Sequence, residues 1–108
     1  MAIRKITLVE PFTWHDKRLT EVSIREPRGS DYVALGEPRI LVRNSDGAAY
    51  WVEQTAVISG YLDRLIDADG GSAVLREMAL ADAIQIKDAL LGFFIDADQA
   101  ISSKNRTS

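Results

Sequence analysis

The sequence predicts an α+β fold in which N-terminal antiparallel β-hairpins precede a helical C-terminal half. Near the N-terminus, apolar and polar residues alternate in two short segments, which is the period of a half-buried strand. From Thr55 onwards, apolar residues recur instead at the helical spacing of about 3.6 residues. At 108 residues the chain has the size of one domain, so both patterns are expected to share a core.

We therefore predict a single α+β domain over residues 1–101, with a β-rich part at 3–53 and a helical part at 55–97. Residues 102–108 are mostly polar and are predicted to form a flexible tail.

The first hairpin is predicted from strands at residues 3–9 and 19–25, which alternate apolar and polar side chains. Pro11 is expected to end the first strand, because proline donates no hydrogen bond to a strand ladder. Residues 12–17, which include the single histidine His15, are then a loop too long for a two-residue turn.

A corner follows the second strand. Pro27 ends the strand, and Ser30 or Asp31 is expected to cap a short helix over residues 32–35. Arg25 and Asp31 flank this turn closely enough to form an ion pair, which would make the corner rigid.

A second hairpin is predicted from strands at residues 40–42 and 49–52. The tetrad 44–47 between them suits a type I turn closed by Gly47 at positive φ. A helix over residues 48–52 is the competing prediction.

Three helices complete the predicted fold. The first is amphipathic and ends at Gly70, and a short second helix covers residues 73–78. The last begins at Leu80 or Asp82 and ends near Ala97.

The last helix is apolar over more than half of its circumference. Two explanations are compatible with this pattern: the helix lies centrally beneath the hairpins, or another chain covers part of it. The second explanation predicts self-association. It also predicts that a partner protein contacts Ile84, Leu91, Phe94 and Ile95.

Composition limits the classes of function. The absence of cysteine excludes disulfides and thiol chemistry, and a net charge of −3 provides no attraction to nucleic acid or an anionic membrane. No apolar run reaches the length of about 20 residues that a membrane helix needs, and the N-terminus lacks the apolar segment of a signal peptide. We expect an intracellular, soluble protein.

Catalytic and metal-binding patterns are weak. His15 has no second histidine as a partner, and Asp67 and Asp69 resemble the start of a calcium loop in which the glycine, Gly70, comes too early. We therefore expect no catalytic site, no cofactor and no metal, and a function in binding.

The order of the motifs resembles the small tail assembly chaperones of contractile-tailed and Mu-like bacteriophages. The matching residues are Arg25, Pro27 and Asp31 in the corner, Asp82 before the last helix, and the paired aromatics Phe93 and Phe94. The resemblance implies a non-enzymatic role in virion assembly, encoded by a phage or prophage. The resemblance implies that such a protein binds the tape-measure protein and helps to bring tail tube protein subunits to it. It would act in the cytoplasm of the bacterial host and be absent from the mature virion.

Two other classes of function stay open. One is a structural phage protein, such as a tube, connector or completion protein. The other is a small enzyme or ligand-binding domain, for which the nearest polar residues are His15, Glu26, Asp31 and Tyr32. Three aromatic side chains fit either a binding surface or internal packing, namely Trp14, Tyr50 and Trp51.

Overall fold

A computed structural model of the chain describes residues 2–106, with only the backbone described at residue 106. Its elements, in chain order, are β1 (Ile3–Trp14), β2 (Lys17–Arg25), α1 (Gly29–Leu35), β3 (Arg39–Arg43), β4 (Ala49–Glu53), α2 (Thr55–Leu65), a 3₁₀ helix (Gly71–Glu77) and α3 (Leu80–Arg106). The strands form two separate antiparallel hairpins, β1–β2 and β3–β4, and a helical half follows them. The predicted α+β fold is confirmed.

The β1–β2 hairpin is longer and its turn is tighter than the sequence predicts. Trp14 pairs directly with Lys17, so only two residues form the turn, and the predicted loop at residues 12–17 is wrong. His15 and Asp16 adopt left-handed backbone conformations, with φ values of 49° and 64°. Positive φ at both positions is what a two-residue turn needs to match the twist of the strands.

Pro11 does not end β1, which is a second correction. The pairing with β2 is regular up to Thr7, shifts, and resumes at Phe12, so Pro11 lies in an irregular segment that requires no ladder hydrogen bond from it. The N–H groups of two residues in this segment are satisfied from elsewhere. Val9 and Glu10 donate to the two carboxylate oxygens of Asp82, at 2.7 Å and 3.1 Å.

Asp82 is fully buried in the first turn of α3. Its carboxylate therefore joins the start of the last helix to the irregular part of the first strand. Because both N–H donors belong to backbone that cannot be paired within the hairpin, we expect this contact to fix the position of α3 on the sheet.

Asp82→Ala should lower the free energy of unfolding by about 3 kcal/mol or more, because it leaves two backbone N–H groups without an acceptor. Urea unfolding followed by circular dichroism measures the change. Asp88→Ala is a suitable control, since Asp88 lies on the same helix with an exposed side chain. Equal stability of the two variants would show that the Asp82 contact does not stabilise the fold.

The corner after β2 is held by Asp31. Arg25 Nη1 donates to its carboxylate at 3.0 Å, which confirms the predicted ion pair. The predicted N-cap is wrong: α1 begins at Gly29 with Arg28 as its N-cap, and Asp31 accepts the Arg28 N–H at 2.8 Å from within the first turn.

Arg64 of α2 also approaches the buried carboxylate of Asp31, at 3.4 Å. The hydrogen bond from Arg25 is the largest influence that lowers the pKa of Asp31, to about 2.

Asp31 should therefore stabilise the fold in a defined pH range. Its pKa falls from an ordinary 3.8 to about 2 on folding, so its contribution is complete above the ordinary value and is lost as the pH falls through 2. Asp31→Asn should cost about 2 kcal/mol at neutral pH and progressively less in acid. Unfolding titrations of both proteins between neutral pH and pH about 2 measure the difference, and a difference that does not shrink in acid would contradict this assignment.

α2 ends earlier than predicted. The helix stops at Leu65, and Ile66 forms a β-bridge with Ile24 in place of a further helical turn up to Gly70. Asp67 continues this contact by donating its N–H to the carbonyl of Ser23 at 2.8 Å. The predicted helix at 73–78 is a 3₁₀ helix that starts slightly earlier.

The core lies where α2, the 3₁₀ helix and α3 cover one face of the β1–β2 hairpin. Its buried side chains are Ile6, Leu8, Val22, Ile24, Ile58, Tyr61, Leu62, Leu65, Ile66, Val74, Met78, Ile86, Leu90 and Phe93. Three α3 residues in this core are Ile86, Leu90 and Phe93. Much of the broad apolar surface of α3 is therefore explained by its position beneath the first hairpin, which is the first of the two explanations given above.

α3 continues well beyond this core. It does not end near Ala97 but runs to Arg106, so residues 102–106 of the predicted tail are helical, while 107–108 lie outside the described residues. Its 27 residues make a helix about 40 Å long. Residues 95–105 are exposed, so this distal part stands away from the core.

Candidate functional site

The β3–β4 hairpin forms as the sequence predicts, and the competing helix at residues 48–52 is not observed. Asn44 organises the turn, because its side-chain oxygen accepts the N–H groups of Asp46 and Ala48, each at 3.0 Å. Gly47 closes the turn with a φ of 85°. The hairpin is therefore fixed by local interactions and needs few contacts with the rest of the domain.

Both faces of this hairpin carry exposed apolar side chains. Cross-strand partners share a face, so the pair Leu41 and Trp51 lies on one side. Ile40, Val42, Tyr50 and Val52 lie on the other. Trp51 is 52% exposed and Leu41 48%. A two-stranded hairpin with apolar groups in water on both faces is unusual for a surface that stays uncovered.

The Trp51 face is turned towards α3. Glu53 forms an ion pair with Lys87 at 3.1 Å, which ties one end of β4 to the helix. The guanidinium of Arg39 stacks on the Trp51 ring at 3.8 Å and holds the indole in place. At the base of the hairpin, Gln54 donates its side-chain N–H to the carbonyl of Glu37 at 2.7 Å.

An open cleft separates this face from the distal part of α3, and we call it the hairpin cleft. It has a volume of about 600 Å³. Its lining residues are Arg39, Trp51, Ile95, Asp98, Gln99, Ser102 and Ser103. Trp51 and Ile95 supply an apolar side chain from each wall, while polar groups line the outer end.

A second concave site lies on the neighbouring side of α3, and we call it the α1–α3 pocket. It has a volume of about 350 Å³, and Tyr32 of α1 and Phe94 of α3 contribute to its walls. The Tyr32 hydroxyl donates to the Glu37 carboxylate at 2.6 Å, and this hydrogen bond is the main reason that the pKa of Tyr32 is raised. Asp98 lines both this pocket and the hairpin cleft, so the two sites are adjacent.

Tyr61 lies in the core behind the α1–α3 pocket and contacts both α3 and the residue that follows α1. Its ring meets the Phe94 ring edge-on, with centroids 5.2 Å apart, and its hydroxyl donates to the carbonyl of Gly36 at 2.6 Å. Burial raises the pKa of Tyr61 to about 12, so the hydroxyl keeps its proton across the physiological range.

The four predicted contact residues are not equivalent in the structure. Ile84 and Ile95 are exposed, at 44% and 38%, as a contact role requires. Phe94 is half-buried between Tyr61 and the α1–α3 pocket. Leu91 is 8% exposed and has almost no surface to offer a partner.

The sequence leaves Tyr50 and Trp51 open between a binding surface and internal packing, and it does not single out the other apolar residues of β3 and β4 as site residues. A signal was available, since residues 40–42 and 50–52 are apolar at consecutive positions. Strict alternation is typical of a hairpin with one buried face, so consecutive apolar residues indicate that both faces are apolar.

The four polar residues considered for a ligand-binding domain do not all converge on one site. Glu26 and Tyr32 line the α1–α3 pocket, whereas Asp31 is engaged by Arg25. His15 lies at the turn of the first hairpin, where its ring stacks on Trp14 with centroids 4.4 Å apart.

Within residues 2–106, no three potential metal-ligating side chains lie together. None of the helices in this part of the chain combines the length and hydrophobicity of a membrane crossing. Comparison with models of protein families, with curated proteins and with solved structures gives no match to this chain. The resemblance to tail assembly chaperones therefore stays a prediction.

The β3–β4 hairpin should open more readily than the rest of the fold. We expect the amides of Ala49–Glu53 to exchange with deuterium through local opening, faster than those of β1 and β2, because the hairpin packs on little besides its own strands. Hydrogen exchange followed by mass spectrometry or NMR measures this. Equal protection of both hairpins in the isolated protein would mean that the second hairpin is covered, for example by another copy.

Proposed function

We propose that the chain is a non-catalytic assembly chaperone of a phage tail, which binds the tape-measure protein and assists assembly of the tail tube. The observation that carries the proposal is the hairpin cleft, where Trp51 and Ile95 present apolar surface to solvent from opposite walls. The resemblance in the corner, at Asp82 and at the paired aromatics supports the choice of partner.

The cleft suits an apolar stripe of a helical partner. A helix presents apolar side chains at i, i+3, i+4 and i+7, and such a stripe can enter a groove with apolar walls and polar ends. Here the walls come from β4 and from α3, and the serines of the distal helix provide the polar end. A long, aggregation-prone helical protein would expose many such stripes before it is assembled.

The proposal also includes self-association, through the face of the β3–β4 hairpin that carries Ile40 and Val52. Ile40 and Val52 face each other across the strands there and are both partly exposed. A second copy or the tail tube protein would cover this face while the hairpin cleft holds the tape-measure protein. In this proposal the protein acts in the host cytoplasm and leaves before the virion is complete.

Co-expression with a tape-measure protein from the same gene neighbourhood tests the proposal. We expect the chain to form a complex with that protein and to raise its soluble fraction. Trp51→Glu combined with Ile95→Glu should abolish both effects, because a carboxylate on each wall cannot be buried against an apolar stripe.

Val33→Glu is the matched control, because Val33 is 86% exposed on α1 and belongs to neither concave site. This variant should bind as well as the unchanged protein. If the tape-measure protein stays insoluble and no complex is recovered with the unchanged chain, the proposed function is wrong. If the control loses binding as well, the site is wrong.

A structural protein of the tail is the second candidate. It is favoured by the two outer edges of the β3–β4 sheet, since neither strand pairs with a third among the described residues. Free edges are the surfaces through which neighbouring copies in an assembly add strands. Mass spectrometry of purified virions separates the two candidates: a structural protein persists in the particle, whereas a chaperone is absent.

A further inference from the structure

The α1–α3 pocket combines an apolar floor with charged groups at its rim. The floor comes from one stripe of α3, in which Phe94, Ala97 and Ile101 follow one another at helical spacing. Ile101 is 61% exposed even though it lines a concave site. The apolar floor is therefore open to a group from outside the chain.

The rim carries an excess of negative charge. Glu26 begins the corner after β2, Glu37 follows α1, and Asp98 comes from α3, whereas Arg28 is the only cation among the described residues that line the pocket. The carboxylates of Glu37 and Asp98 also act together on Tyr32, where both raise the pKa of the hydroxyl. Three carboxylates and one guanidinium thus surround an apolar floor, which selects for a cationic ligand with an apolar part.

We propose that the α1–α3 pocket binds a partner segment that places an aliphatic or aromatic side chain on the floor and a neighbouring Lys or Arg against the acidic rim. The proposal rests on the proposed function only for the identity of the partner. The adjacent hairpin cleft would favour partner segments that form an apolar helix. The α1–α3 pocket adds the requirement that the segment carry a positive charge. Together the two sites define which segments of a partner can bind.

A second copy of the chain fits this pocket less well. A two-fold contact places the same patch of each copy against itself, so the acidic rims, including both Asp98 side chains, would meet. Like charges at such a contact oppose association. The chain is also negative overall, with a net charge of −3, so a basic partner is electrostatically favoured over a second copy.

The test uses two synthetic peptides of about 15 residues, long enough to form a helix on a surface. Both have leucines at helical spacing; the polar positions carry lysine in one and glutamate in the other. Fluorescence anisotropy measures their binding to the full chain. We expect the lysine peptide to bind at least about tenfold more tightly, and Glu37→Gln and Asp98→Asn each to weaken it by about fivefold.

Two further variants locate the binding. Ala97→Trp fills the floor and should abolish binding of the lysine peptide, whereas Asp88→Asn removes an exposed carboxylate of α3 outside the pocket and should leave it unchanged. The proposal is overturned if both peptides bind equally, or if Asp88→Asn weakens binding as much as Asp98→Asn. It is also overturned if no peptide binds and the chain forms a dimer that Ala97→Trp dissociates, which would assign the pocket to a second copy.

The outcomes also separate this inference from the proposed function. A normal tape-measure complex with Ala97→Trp, together with equal binding of the two peptides, would reject the inference and leave the proposed function intact. Binding of the lysine peptide in the pocket without any tape-measure complex would reject the proposed function and leave the inference intact.

Discussion

The hydrogen bonds between Asp82 and the irregular part of β1 are the interaction on which the rest of the structure depends. They place a fully buried carboxylate where the β1–β2 ladder cannot satisfy Val9 and Glu10. We expect this contact to fix the start of α3 on the sheet and so to influence where the far end of this 27-residue helix lies. The distal part of α3 then stands beside α1 on one side and the β3–β4 hairpin on the other. We therefore expect both concave sites to depend on the contact that holds the helix at its first turn.

The fold was predictable where the signals are local. The turn of the second hairpin and the ion pair between Arg25 and Asp31 depend on residues close in sequence, and both are confirmed. The prediction that Pro11 ends β1 is wrong because the acceptor that compensates for the irregular strand, Asp82, lies in the last helix, more than 70 residues away. The tight turn at His15 is not predicted because neither of its residues is glycine, the strongest signal for positive φ.

The candidate site was predictable only in part. The helical periodicity placed Ile84 and Ile95 on an apolar stripe, and both are exposed. Leu91 belongs to the same stripe but is buried, and periodicity alone does not show which members of a stripe are buried in the folded chain. The role of Trp51 depends on the angle at which its hairpin stands to α3, which is set by contacts such as that of Lys87 with Glu53. The sequence shows the apolar residues but not the cleft between them.

We propose that the β3–β4 hairpin and the distal part of α3 together bind the partner protein. Hydrogen exchange on the purified complex with a tape-measure protein, compared with the chain alone, tests it most directly. We expect complex formation to slow exchange in Ala49–Glu53 and in residues 95–103, and to leave exchange in the β1–β2 hairpin unchanged. Protection confined to β1 and β2, with the second hairpin and distal α3 exchanging as before, would contradict it.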